Sequence, residues 1–297
     1  MNLNSFVMLS LAFALGVSGC ADTLRTQHGP DAHSKPQRIL CGSPALAEIV
    51  FALDAGDRVA GVSDFSEYPP EAAAKPSIGG WINPNKERIL ALQPDLVLSQ
   101  GKHETLAALC QANAIPFHSY SLDSIDDIFH AITEIARVLD TPDAGQALRT
   151  RMQHDLDHLA DKYAARPAPA VLVVFGRVPG TMAGLSTIGP DTYLHELLTL
   201  AGGSNIFSDA SGAFPVISKE AILARNPEVI IELQPGAQDE AKLHMLRADW
   251  EPWNTLRAVQ NNRIYFLTDN YMLMPGPRMP EAARRMAEAL YPEEPLP

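Results

Sequence analysis

The residues best suited to holding a ligand fall in stretches with neither helical nor strand periodicity. VSDFSEYPP carries Phe65 and Tyr68, GGWINPN carries Trp81, SGAFPVIS carries Phe214, and TDNYMLMPGPR carries Asp269, Asn270, Tyr271 and Arg278. Aromatic faces stack on flat or apolar ligands, while a few carboxylate, amide and guanidinium groups fix a ligand's edge. Any single loop aromatic is by default a packing residue. Trp81 departs from that default, because GGWINPN offers it no periodic apolar face to join.

Sets suited to covalent or metal chemistry do not assemble. The sequence has no phosphate-cradling Walker-type loop, no GxGxxG, no CxxC and no HExxH. GLSTIG (184–189) has the wrong spacing for a nucleophile elbow. His154 and His158 stand four apart, the spacing of a helical metal clamp, but they flank Asp155 and Asp157 and read as part of a solvated face. His103 and His118 are single histidines near strand ends, where a hydrogen-bonded structural role is the ordinary one. Cys41 and Cys110 lie in separate elements; an exported chain can pair them, and the spacing leaves that open. Cys41 alone is too few for a metal cluster.

The other chemical signal is a repetition. NKERILALQPDLVL (85–98) and SKEAILARNPEVII (218–231) share Lys, Glu, Ile, Leu, Ala and Pro in register. Each reads as a short helix, a proline that stops it, an acidic residue and a buried strand. Ile89, Leu90 and Leu92 are expected to face inward, which leaves Glu87 to solvent, and Glu220 stands at the matching place. One solvated glutamate contributes under about 1 kcal/mol to stability. Two of them, at corresponding points of two repeated units, make a pair of charges suited to a partner with two-fold symmetry. EIVFALDAG (48–56) and ELLTLAGG (196–203) give a weaker second echo once a one-residue gap is allowed.

Two repeated units require a repeated α/β rhythm, and the chain supplies it. RILCG, DRVAGVS, DLVLSQG and IPFHSYS read as strands, with SPALAEIVFALDAG, NKERILAL and KHETLAALCQANA as helices between them. Ser43 is the expected N-cap of the first helix, with Pro44 at its first position and Gly56 past its end. FSEYPPEAAAKPSIGGWINPN, rich in proline and glycine, is a long loop of the kind usually kept for function. Over 143–165 the pattern becomes a single helix with an apolar stripe of Leu148, Met152, Leu156, Leu159 and Tyr163. About 23 residues at 1.5 Å each make a rod of roughly 35 Å. After Pro167 the rhythm resumes with PAVLVVFG, TYLHELLTLAGG, KEAILARNPEVIIEL, RIYFLTD and PEAARRMAEAL. The expected architecture is two similar parallel-sheet α/β lobes, 38–141 and 167–297, joined by one long α-helix at 142–166.

LNSFVMLSLAFALGVSG (3–19) is almost wholly apolar or small and too short for a comfortable membrane span. It reads as an export signal over 1–20, and VSGC resembles the lipobox at which bacterial lipoproteins are cleaved and acylated on cysteine, here Cys20. No Lys or Arg precedes the run, and residues 21–37 read as a polar tether. A composition of 46% hydrophobic and 20% charged residues is that of a globular protein. A formal net charge of −12 argues against non-specific nucleic-acid binding, which needs clustered cations.

The run VSDFSEYPP…IGGWINPNKERILALQPDLVL, with SKEAILARNPEVII and VSGC, resembles the substrate-binding proteins of ABC importers. The subgroup is the one with two α/β lobes joined by a rigid helix, which serves cobalamin, haem and iron–siderophore uptake. The likeness spans residues 36–292. It implies a monomeric, non-enzymatic lipoprotein on the periplasmic or cell-surface side, anchored through Cys20, with no cofactor of its own. Such a protein captures a bulky ligand between its lobes and delivers it to a permease dimer with its ATPase subunits. The resemblance places Phe65, Tyr68, Trp81 and Phe214 where the family packs a flat ring, with Asp269 at the ligand's edge. Tyr271 and Arg278 join the set from their loop position alone, since the segment 270–278 differs in composition from the cobalamin-binding member. It also implies that Glu87 and Glu220 meet arginines on the two permease subunits.

Cobalamin is the leading ligand, since Arg278 is the one cation placed near the aromatics and an anionic siderophore needs several. Haem, with Tyr68 or Tyr271 as iron ligand, and ferric siderophores are the alternatives within the family. A metal-cluster enzyme or chelatase on the same scaffold is a reading of a different class. A surface metal-ion binder is another, and needs a His/Asp/Glu set that the strand ends do not supply.

Overall fold

The computed structural model describes residues 35–236 and 239–292. Cys20, the apolar run before it and most of the tether lie outside these residues. In the first lobe β1 (Ile39–Cys41), β2 (Val59–Val62), β3 (Leu96–Gln100) and β4 (Phe117–Tyr120) form a parallel sheet in the order β2-β1-β3-β4. Its helices are α1 (Pro44–Ala52), α2 (Pro70–Ala73), α3 (Lys86–Ala91), α4 (Glu104–Ala112) and α5 (Ile125–Val138), and α6 (Pro142–Tyr163) leads onward.

The second sheet contains β5 (Ala170–Gly176), β6 (Ser186–Thr187), β7 (Ser204–Asn205), β8 (Val229–Leu233) and β9 (Ile264–Leu267). Its order is β6-β5-β8-β9, with β7 also beside β5 and only β6 antiparallel. The helices here are α7 (Tyr193–Leu200), α8 (Lys219–Arg225), α9 (Glu240–Ala248), α10 (Arg257–Gln260) and α11 (Met279–Leu290). By pairing, β1, β3 and β4 correspond to β5, β8 and β9. The fold is α/β, with two lobes built around parallel sheets.

Strands buried on both faces send alternate residues to opposite sides. Ile39 and Cys41 of β1, and Val171 and Val173 of β5, enter one inner core that runs through both lobes and takes in the apolar faces of α1, α5, α6, α7 and α11. Leu40 and Val97 point instead to an outer core with Ile89 of α3 and Leu106 and Cys110 of α4. Leu172 and Ile230 point to the second outer core, with Ile222, Trp250 and Trp253. The same alternation separates the cysteines. Cys41 and Cys110 are free thiols on opposite faces of the first sheet, and burial pushes them up to about 12 and about 11.

The stripe Leu148, Met152, Leu156, Leu159 and Tyr163 on α6 is buried, and the helix ends at Tyr163 rather than running on to Arg166. Gly145, near its start, has a packing reason. A Cβ there would lie 2.5 Å from the Ala136 Cβ of α5, so glycine lets the two helices touch. α5 is an element for which the sequence pass gives no expectation. Its start is a capping box, Ser124 Oγ accepting from Asp127 N while the Asp127 carboxylate accepts from Ser124 N. α3 also departs from expectation. Ile89 is buried but Leu90 is 38% exposed, and its counterpart Leu223 in α8 is 37% exposed. Successive helical positions point about 100° apart, so these short helices, lying on a sheet by one face, bury the isoleucine and turn the next leucine outward.

Candidate functional site

β2 ends at Val62, and the chain turns through Asp64 and Phe65. Phe65 has a left-handed backbone, φ 66°, and a side chain 81% exposed. Such a conformation costs a bulky residue about 1–3 kcal/mol, and strain of this kind collects where a side chain must be presented. Residues 76–79 then run along β2, Val62 N donating to the Pro76 carbonyl and Ile78 N to the Val62 carbonyl. This carries Trp81 past the strand end. There its Nε1–H donates to the Gln100 carbonyl at the end of β3 (3.1 Å). His103 accepts from Leu106 N on Nδ1, capping α4, which leaves Nε2 to donate to the Trp81 carbonyl at 3.1 Å. His103 is thus a structural brace. The Trp81 side chain is pinned at its polar edge, 44% exposed, and joins none of the buried cores.

In the second lobe Phe214 stacks on Phe175 of β5, ring centroids 4.0 Å apart. Residues 213–217 are laid along β6 by hydrogen bonds from Gly189 N to the Ala213 carbonyl and from Thr187 N to the Pro215 carbonyl. Any Cβ at Gly189 would collide with the Gly212 carbonyl, so glycine is what lets this aromatic segment approach. The same lobe holds a buried charge network that sequence reasoning missed. Arg177, just past β5, donates to Glu232 (3.1 Å) and Asp249 (2.5 Å), while Trp250 Nε1–H donates to the second Glu232 oxygen (3.1 Å). Burial holds Glu232 above the usual carboxylate range, with Arg177 pulling the other way. The network ties the turn after β5 to α9, since Gly180 N also donates to Asp249.

The remaining residues gather between the lobes. Arg278, ahead of α11, donates from Nε and Nη2 to the two carboxylate oxygens of Glu48 in α1, at 2.9 and 2.6 Å. The Tyr68 ring lies 4.0 Å and the Tyr271 ring 5.1 Å from its guanidinium carbon. Asn270 donates to Glu67 at 3.0 Å, a second bond across the lobes. Asp269 pairs with Arg285 at 2.9 Å. Burial and the adjacent Asp269 carboxylate hold the Tyr271 hydroxyl above the usual phenol range. The structure thus brings Tyr68, Tyr271 and Arg278 into one cluster and sets Asp269 against Arg285, while Trp81, Phe65 and Phe214 stand on their own supports. Glu48 and Glu67, the partners that join the lobes, lie inside quoted segments, EIVFALDAG and VSDFSEYPP, but nothing in either segment marks them as partners of Arg278 and Asn270. The local cue is an acidic residue within an apolar helix and one within a proline-rich loop.

The family profile described as "periplasmic binding protein" matches residues 39–271, most of the chain. The chain belongs to that family. Among its relatives, the vitamin B12-binding protein of Pectobacterium atrosepticum is 32% identical over 266 residues, 87% of this chain and 90% of its own length. Of solved structures, the periplasmic vitamin B12 binding protein BtuF of Vibrio cholerae superposes with a TM-score of 0.73 at 26% identity, covering 86% of this chain and 96% of that one. A periplasmic heme binding protein from Pseudomonas aeruginosa gives 0.77 at 26% identity, over 88% and 95%. As a periplasmic binding protein, the chain is a substrate-binding protein and not an enzyme.

In this binding protein the repeated segments have the same build. Asn85 accepts from Arg88 N and Ser218 from Ala221 N, so each short helix is capped alike, and Glu87 and Glu220 both stand exposed in its first turn. Each helix stops at a left-handed residue, Gln93 at φ 44° and Asn226 at φ 42°. Each leads into the strand that pairs with the first strand of its sheet, β3 with β1 and β8 with β5. The His154 and His158 rings lie 6.5 Å apart on α6. Among the described residues no three His, Cys, Asp or Glu side chains converge as a metal-holding group.

Proposed function

We propose that this binding protein captures a corrinoid, cobalamin first, between its lobes and passes it to an ABC permease dimer. The observation that carries the reading is the make-up of the loops beyond the strand ends. They present large aromatic faces at Phe65, Tyr68, Trp81 and Phe214, while the nearby arginine, Arg278, is already paired with a carboxylate. A flat macrocycle fringed with neutral amides suits such walls, whereas an anionic siderophore needs free cations. The relatives named as vitamin B12-binding proteins favour the same ligand. Haem is the second reading, favoured by the likeness to a heme binding protein. The raised Tyr271 hydroxyl weighs against that residue as a tyrosinate iron ligand.

The test is to titrate the chain from residue 36 onward with cobalamin, cobinamide and haem, following tryptophan fluorescence and heat. Saturable one-to-one binding of both corrinoids, with haem far weaker, is the expected result; haem binding alone would overturn the corrinoid assignment. Docking is assigned to Glu87 and Glu220, one exposed carboxylate per lobe for the two permease subunits. Membrane attachment is assigned to a lipid on Cys20. Cys20→Ser should then move the protein from the membrane to the soluble exported fraction, and a wild type that is already soluble would refute the anchor.

A further inference from the structure

We propose that Glu48 sets the charge class of ligand that the cleft accepts, by holding Arg278 in an ion pair that spans the lobes. The inference rests on the reading above that the ligand lies among the loops at the strand ends. Glu48 comes from α1 and Arg278 from the loop before α11, and the two bonds of 2.9 and 2.6 Å match one guanidinium fork to one carboxylate. The carboxylate side chain is 3% exposed and the guanidinium side chain 18%, so neither partner is screened by bulk water. Tyr68 and Tyr271 stack against the guanidinium, at 4.0 and 5.1 Å. The loop itself is seated on α1, because a Cβ on Gly276 would lie only 3.6 Å from the Ala45 carbonyl oxygen.

Paired this way, the guanidinium and the carboxylate sum to zero charge, so a ligand's carboxylates meet no net cation here. The neighbouring ionic groups tilt the balance further. Asp269 pairs with Arg285, which Glu288 shares, whereas among the described residues Asp64 accepts only from the neutral Ser77 hydroxyl and Glu67 only from the neutral Asn270 amide. Pairing Glu48 with Arg278 therefore leaves the aromatic walls bordered by carboxylates. Such a border admits a neutral, amide-edged ligand and repels a polyanion. Removing the charge of Glu48 turns Arg278 into a free cation beside Tyr68, and the charge preference reverses.

The experiment compares wild type, Glu48→Gln and Glu48→Gln/Arg278→Gln by titration with cyanocobalamin, haem and ferric citrate, with thermal melts as the folding check. Gln keeps an oxygen for one of the two Arg278 bonds. The single variant should bind the two anionic probes roughly tenfold or more tighter than wild type, the size expected of one unpaired charge near a ligand anion. The double variant should lose that gain. Unchanged anion affinity in a folded Glu48→Gln protein overturns the proposal. Should that variant not fold, the comparison of Arg278→Gln with Glu48→Gln/Arg278→Gln decides. A freed Glu48 carboxylate predicts anion affinity about tenfold weaker in the single variant than in the double, with the double within about twofold of wild type. A tenfold loss in the double variant would show that Arg278 already serves the ligand. Failure of wild type to bind cyanocobalamin sinks the corrinoid reading without touching the charge switch, which is read on haem and ferric citrate.

Discussion

At the scale of single residues, what separates a ligand contact from a packing residue is the absence of a core around it. Trp81 is held by one hydrogen bond to the Gln100 carbonyl and remains 44% exposed. Its ring has little to lose on the protein's side when removed. Trp81→Ala should weaken corrinoid binding at least tenfold, about 1.4 kcal/mol, with a nearly unchanged melting temperature. Intact affinity or a collapsed melting temperature would identify it as a structural residue. Glu48 differs, being buried and charged. Desolvation is the largest influence on it and raises its pKa, against the pull of Arg278, with Glu281 adding to the rise. A carboxyl raised in the folded state contributes stability that is present below the ordinary glutamate range and fades as pH rises through its folded value. Glu48→Gln fixes the neutral form, so its melting temperature should climb relative to wild type as pH rises above the ordinary glutamate range of about 4. A pH-independent difference would mean that Glu48 titrates as an ordinary glutamate.

Elements impose their own constraints. Gly145 is the fourth residue of α6, and a glycine within a helix costs up to about 1 kcal/mol relative to alanine. Here the close approach of Ala136 reverses the sign. Gly145→Ala should destabilise by about 1–3 kcal/mol in denaturant unfolding, because the added methyl must push α5 and α6 apart. A stabilised variant would show that the helices can yield. The duplicated helices α3 and α8 carry a different kind of consequence. Their caps, stops and exposed glutamates coincide, although among the described residues neither glutamate makes a side-chain hydrogen bond or ion pair. Glu87→Ala and Glu220→Ala together should leave ligand affinity intact, weaken docking to the permease more than either alone, and make the residual docking less sensitive to salt. Transport at the wild-type rate by the double variant would reduce the repetition to a relic of duplication. This is also where the sequence was most legible. The repeat, the α6 stripe and the alternation of β1 and β5 can be read directly, because each is a local periodicity. α5 escaped because its acidic first turn resembles a loop until the reciprocal Ser124–Asp127 cap is recognised.

Over the whole molecule, the inner core runs without a break from the first sheet to the second. Polar braces reinforce it. The Glu196 carboxylate of α7 accepts from Ile125 N at the start of α5 (2.6 Å), Tyr193 N donates to the Asp123 carbonyl (2.6 Å), and Arg278 and Asn270 reach across to Glu48 and Glu67. A helix packed into a shared core has no free loop to absorb a large backbone rotation. Small-angle scattering should therefore show the radius of gyration changing by less than about 1 Å on cobalamin binding. A several-ångström contraction would contradict the braced arrangement.

The α/β lobes, the helix between them and the loop aromatics are legible in residue order, since each depends on a few turns of chain. The tertiary structure alone decided which groups meet. That Arg278 answers to Glu48, that Cys41 and Cys110 lie on opposite faces of one sheet, and that Leu90 faces outward all depend on how distant segments are brought together. Spacing along the chain carries no information on pairings between residues hundreds of positions apart. An arginine that reads from sequence as a hand for the ligand is, once the lobes are packed, a hand already held.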